Sequence, residues 1–186
     1  MLMRDAASGR VTEEIARVAE REGLSPEVIR RRVASGRVII PRNERRERIE
    51  PVGIGEGLTT KVNANVGTSP DYVNIEEELE KVLVAVECGA DTVMDLSIGG
   101  DIDLVRRKIL KSVRVPVGTV PVYQAAIEAS SRGMDIVDMS SDDIFNAIRR
   151  HAEDGVDFVT VHCALTLDGV GAVRKSGRIL GMVSRG

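Results

Sequence analysis

Along the chain the spacing of apolar positions switches between two periods. Thr59–Gly67 (TTKVNANVG) alternates Lys61, Asn63 and Asn65 with Val62, Ala64 and Val66. A period of two predicts a strand. Two amides and an ammonium on one strand face need polar partners. A polar sheet edge supplies them through solvent; a barrel strand whose carboxyl end opens into a polar pocket supplies them through a ligand.

The helical period follows. Ile75, Leu79, Val82, Leu83 and Val86 form one stripe, with Asn74 as N-cap, Glu77 placed for a capping box and Gly89 as stop. Asp91–Leu96 (DTVMDL) predicts a second strand, and Ser97–Asp101 a glycine-containing loop. A helix over 102–111 carries Arg106, Arg107, Lys108 and Lys111 toward its C-terminus, where cations are favoured. Val115–Pro121 predicts a third strand and Tyr123–Ser131 a helix. Ser140 and Asp143 cap a helix with Ile144, Ile148 and Ala152 on its apolar face, closed by Gly155. Asp157–His162 predicts a fourth strand, 169–177 a helix and Leu180–Ser184 a fifth strand. Cys88–Val93 (CGADTV) and Asp154–Val159 (DGVDFV) nearly repeat one another.

Alternating strands and helices with short links predict a parallel sheet with right-handed crossovers. No GxGxxG follows the first strand and no GxxxxGK[ST] occurs, so nucleotide-binding doubly wound folds lose weight. The expected fold is α/β: a partial (β/α)8 TIM-type barrel of about five parallel strands over 51–186, since a complete barrel takes about 250 residues. An open half-barrel exposes strand edges, so a dimer or aggregation is expected.

Residues 1–50 form a separate region. Thr12 caps a helix with Ile15, Val18 and Ala19 on one face, stopped by Gly23; Ser25 and Pro26 open a second, ended at Gly36. This is a helical hairpin for packing or dimerisation. The competing helix-turn-helix reading is weak: Arg30, Arg31 and Arg32 point in three directions, and five glutamates offset them. Arg37–Pro41 predicts a short buried strand, and Asn43–Glu50 a solvated charged linker.

Composition narrows the classes. The 186 residues have a net charge of −3 and no tryptophan, which argues against nucleic-acid binding. Two cysteines predict a reducing compartment, with cytoplasm as the default, and no apolar run is long enough to span a membrane. In a barrel the chemistry sits at the carboxyl ends of strands. Those positions are Asn63 and Asn65, then Met94, Asp95 and Ser97, then Thr119 and Tyr123, then His162 and Cys163, then Ser184, Arg185 and Gly186. Asp95 is either a base or hydroxyl acceptor, or a structural carboxylate. Arg185 between Ser184 and Gly186 suits a phosphate. The other histidine, His151, is expected on a solvated helix surface. No histidine and cysteine cluster predicts a metal site in this chain.

The blocks GIGEGLTTKVNANVGTS, IEEELEKVLVAVECGADTVMDLSIGG, VPVGTVPVYQA, GVDFVTVHCA and GMVSRG together resemble the first half of the phosphomethylpyrimidine synthase (ThiC) family of thiamine biosynthesis. The leader VTEEIARVAEREGLSPEVIRRRVASGRVIIP is similar to that family's leader. The resemblance implies a radical S-adenosylmethionine lyase with a [4Fe–4S] cluster and zinc. Its substrate is 5-aminoimidazole ribonucleotide and its product the hydroxymethylpyrimidine phosphate. It also implies substrate contacts at Asn65, Met94, Tyr123, His162 and Ser184–Gly186. The family's CxxCxxxxC motif and zinc histidines are not in this sequence, so the chain is expected to be inactive alone. It is expected to be a fragment of a longer enzyme, a naturally short half-barrel pairing with itself or a second polypeptide, or a non-catalytic ribonucleotide-binding or assembly module.

Overall fold

The structure is a computed structural model and describes residues 2–163 and 166–179. Three short helices come first: α1 (Leu2–Ala7), α2 (Glu13–Glu22) and α3 (Pro26–Ala34), so α1 is additional to the two expected. The Thr12 hydroxyl accepts the Ile15 N–H at 3.4 Å, and Gly23 ends α2 at φ 66°. Ser25 precedes Pro26 without a side-chain capping bond. Ile15, Val18, Ala19, Ile29 and Val33 bury their stripes against one another and against Ala6 of α1.

Val38 joins that core from β1 (Val38–Ile39), which pairs antiparallel with β2 (Ile54–Gly55), a strand the periodicity did not indicate. The arginine run is spent inside this layer. Arg30 binds Glu27 and the Ala6 carbonyl, Arg31 approaches Glu27, and Arg32 donates to the Gly57 carbonyl. That use disfavours the DNA-binding reading.

Four parallel strands follow in the order β3 (Asn63–Val66), β4 (Thr92–Asp95), β5 (Val117–Thr119) and β6 (Phe158–Val159). The links carry α4 (Ile75–Glu87), α5 (Ile102–Ser112), then α6 (Pro121–Ser131), a 3₁₀ turn at Ile136–Asp138 and α7 (Ser141–Asp154). After β6 comes α8 (Leu167–Lys175). The strands are shorter than the apolar runs that predict them. Pro121 begins α6 rather than ending a strand, as suits a residue with no N–H to donate. The fifth predicted strand, Leu180–Ser184, lies outside the described residues.

Strand alternation decides which face the helices cover. Val66, Val93 and Val117 pack with Val82, Val105 and Ile109 of α4 and α5. Asn63, Asn65, Thr92, Met94 and Phe158 therefore share the opposite face. Register confirms the row: Asn65 pairs with Met94, Met94 with Gly118 and Gly118 with Phe158.

Three sequence expectations are corrected. His151 is not on a solvated surface; it is 3% exposed, and α7 turns it toward β5 and α6. Arg106 does not act at the C-terminal end of α5; it lies mid-helix, is 2% exposed and is bonded to Asp154 and Gln124.

Asn43–Glu50 is not a free linker. Arg46 reaches under the sheet to Asp157 at 2.7 Å and to the Val113 carbonyl at 2.6 Å. The Asn43 N–H donates to Asp157, and its side-chain amide to the carbonyls of Ala152 and Val156. Asn43 and Arg46 are polar because each has a buried polar group to satisfy, not because water surrounds them.

The near-repeat has a structural meaning. Asp91 accepts the Val62 N–H beside β3 at 2.8 Å, and Asp157 accepts the Val117 N–H of β5 at 2.8 Å. Each carboxylate also takes an arginine from the N-terminal fifty residues, Arg21 for Asp91 and Arg46 for Asp157. One local sequence solves one problem twice: it joins the amino end of a strand to its neighbour and to the layer beneath.

Candidate functional site

The carboxyl ends of β3, β4 and β5 meet two tightly connected loops. Thr68 accepts the Ile98 N–H through its carbonyl, donates its hydroxyl to the Gly99 carbonyl and gives its N–H to the Ser97 hydroxyl. Gly67 sits between them at φ 146°, where a Cβ would lie 2.5 Å from the Ser97 nitrogen. Its N–H donates to Glu78 of α4, a carboxylate only 2% exposed that also pairs with Lys81. Asn65 therefore stands on a fixed strand end, two residues before this anchor.

A cleft of about 430 Å³ opens at that end, lined among others by Asn65, Ser69, Lys81 and Tyr123. A neighbouring groove of about 530 Å³ runs along the uncovered face past Asn63, Thr92, Met94 and Phe158. Asn63 donates its amide N–H to the Asn65 oxygen at 2.9 Å and accepts the Thr92 hydroxyl at 2.8 Å. Among the described residues the Asn65 amide nitrogen and the Tyr123 hydroxyl have no protein hydrogen-bond partner. Two donors on residues lining one cleft are suited to the oxygens and ring nitrogens of a polar ligand. Met94 supplies an apolar wall whose sulfur takes the Thr160 hydroxyl at 3.9 Å.

Three candidate residues thus gather at one end of the sheet: Asn65 and Met94 in register, and Tyr123 from the first turn of α6. His162 follows β6 at the same end and is exposed. Ser184, Arg185 and Gly186 lie outside the described residues. Asp95 takes its structural alternative. Alternation turns it away from Met94, and it accepts the Ser97 N–H at 2.9 Å and the Ser97 hydroxyl at 2.5 Å. Burial pushes its pKa up, against the hydrogen bonds from Ser97.

Behind Tyr123 lies a polar cluster that periodicity could not expose. Gln124 Oε1 accepts from Arg106 and from His151 Nε2, each at 2.7 Å. Its amide nitrogen donates to Asp103 at 2.8 Å and to Glu128 at 2.9 Å. With Nε2 as a donor, His151 Nδ1 is an acceptor, so the Thr119 hydroxyl donates to it at 2.7 Å. The imidazole is neutral: burial first, then the nearby Arg106 charge, lower its pKa to about 4. The available signal was the excess of polar residues on the apolar side of α5, α6 and α7.

The chain holds two cysteines, both exposed. Cys88 follows α4 at the amino ends of the strands, whereas Cys163 follows β6 at the carboxyl ends. Two thiols at opposite ends of a sheet cannot supply the thiolates that hold one iron–sulfur cluster. Among the described residues no helix is long and apolar enough to cross a membrane.

Comparison with known proteins covers the whole chain. The family model described as the radical SAM ThiC family matches residues 1–186. The phosphomethylpyrimidine synthase of Methanopyrus kandleri is 58% identical over 177 residues, covering 95% of this chain and 41% of that protein. Those of Pyrococcus furiosus (52% over 184 residues) and Thermus thermophilus (53% over 182 residues) cover 99% and 97% of this chain, and 43% and 42% of their own length. The chain thus spans less than half the length of these curated relatives and corresponds to their N-terminal part. By the match along its whole length, the chain belongs to the radical SAM ThiC family.

Proposed function

We propose that this chain is the substrate-holding part of a phosphomethylpyrimidine synthase, the thiamine-biosynthesis lyase that rearranges 5-aminoimidazole ribonucleotide into hydroxymethylpyrimidine phosphate. In this reading β3–β6 are the first strands of a (β/α)8 barrel and their carboxyl ends form one side of its mouth. Asn65, Tyr123 and His162 contact polar atoms of the ribose and imidazole, Met94 packs against an apolar face, and Ser184–Gly186 receive the phosphate. The ligands of a [4Fe–4S] cluster and of zinc are residues other than these, and S-adenosylmethionine is the cosubstrate of the cluster. The two cysteines here do not fit the cluster, so the role of this chain is to bind, orient and exclude water. The half-covered sheet favours a second protein surface against Asn63, Met94 and Phe158, from the same polypeptide or a second copy.

The observation that carries the reading is the pair of unpartnered donors, the Asn65 amide and the Tyr123 hydroxyl, on residues that line one cleft beyond the ends of parallel strands. The test is calorimetric titration of 5-aminoimidazole ribonucleotide into a full-length enzyme containing this segment. Asn65→Ala and Arg185→Ala should each raise Kd by about tenfold or more, the loss of a good hydrogen bond to a charged or polar ligand. Unchanged affinity in both variants overturns the assignment.

A further inference from the structure

We infer that His151 is a positioning residue for the mouth: by joining Thr119 at the end of β5 to Gln124 in the first turn of α6, it sets where Tyr123 stands. This rests on the reading of Tyr123 as a substrate contact. His151 itself is out of reach of any ligand in the cleft. The space it shares with Asp95, Thr119, Tyr123 and Gln124 has a free volume of about 10 Å³, about one water at most. Whatever His151 does, it does through its neighbours.

The geometry shows how. Gln124 is adjacent in sequence to Tyr123, and α6 begins only two residues earlier. No side chain caps that helix start, since Val120 holds the N-cap position. The first turn of α6 is instead held from the side, through four hydrogen bonds to the Gln124 amide: Arg106 and Asp103 from α5, His151 from α7 and Glu128 from the next turn of α6.

Of these, His151 also grips the strand. Its Nδ1 takes the hydroxyl of Thr119, whose carbonyl accepts the Thr160 N–H from beyond β6. Beside the backbone through Val120, His151 is thus a side-chain link between helix start and sheet. The charged groups around it are Asp103 and Arg106 of α5, Glu128 of α6, Arg150 and Asp154 of α7, and Asp95 of β4. Apart from Asp95, which Ser97 holds, they pair among themselves: Arg106 with Asp103 and Asp154, and Arg150 with Glu128 and Asp103. The imidazole can therefore stay neutral and act as a two-ended connector.

The experiment uses the full-length enzyme and separates position from stability by two readouts of one titration. A variant that merely unfolds lowers the number of binding sites and leaves Kd unchanged in the folded fraction. A variant that misplaces Tyr123 raises Kd at full stoichiometry. His151→Leu, which cannot make either bond, should raise the ribonucleotide Kd about tenfold, whereas His151→Gln, with an amide that both donates and accepts, should stay within about threefold of the parent.

In a Tyr123→Phe background the effect of His151→Leu should shrink to less than about twofold, because the group it positions is gone. If His151→Leu does not fold, Thr119→Val breaks the same link at nearly constant volume and should give the same rise. Unchanged Kd in the folded variant overturns the inference, as does full additivity with Tyr123→Phe. If Asn65→Ala weakens binding while these variants do not, only the positioning role fails. If neither Asn65→Ala nor Arg185→Ala weakens binding, the substrate reading fails first.

Discussion

Replacing Arg46 by Met tests whether residues 43–50 are a clamp or a solvated linker. Arg46 and Asp157 have side chains 8% and 0% exposed. The guanidinium donates to Asp157 at 2.7 Å and to the carbonyls of Val113 and Val115 at 2.6 and 3.4 Å. Met fills similar length without a charge, so the main loss is electrostatic. Removing one partner of a buried ion pair costs about 3–5 kcal/mol. Asp157 retains the N–H groups of Asn43 and Val117, which places the expected loss near about 3 kcal/mol. A solvated pair would cost only about 0–1 kcal/mol.

Urea unfolding separates the two cases. With m of about 1–3 kcal/mol per molar, a loss of about 3 kcal/mol moves the midpoint down by at least about 1 M at unchanged m. Arg21→Met is the internal control: Asp91 occupies the equivalent place, but the Arg21 side chain is 45% exposed, so about 1 kcal/mol is expected there. A loss below about 1 kcal/mol for Arg46→Met, or equal losses for both variants, would refute the argument that burial makes one clamp strong and the other weak.

Two further outcomes follow from the geometry. His151 resists protonation down to about pH 4 in the folded protein, whereas its ordinary value is 6.5. The unfolded chain therefore binds the extra proton in that window, and the stabilisation is complete above about pH 6.5 and lost progressively toward pH 4, by at most about 3 kcal/mol. The thermal midpoint of the parent should fall more steeply than that of His151→Gln between these limits; parallel curves would contradict this. Gly67→Ala should destabilise by about 2–3 kcal/mol, since φ is 146° and the new methyl meets the backbone of Leu96 and Ser97 on a side that cannot yield. A urea-derived loss under about 0.5 kcal/mol would mean that the two loops are looser than they stand here.

Periodicity alone determined most of the elements. The stripes of α2, α4 and α7, their caps at Thr12, Asn74 and Ser140, and the alternation of Thr59–Gly67 are relations between residues a few positions apart. Local sterics and hydrogen bonding enforce them wherever the segment sits. The candidate residues Asn65 and Met94 were legible for a related reason: in a parallel sheet the end of a strand can be counted off its own pattern, whereas Tyr123 stands past the end of β5, in the first turn of α6.

What lay beyond reach was the partner of each buried charge. Arg46 meets Asp157 across 111 residues, and Arg106 meets Asp154 across 48. His151 on α7 reads as an exposed polar position until β5 and α6 bring Thr119 and Gln124 against it. A charged side chain is equally compatible with water and with an opposite charge in the interior. Only the tertiary fold, by deciding which distant groups lose their water together, selects between the two.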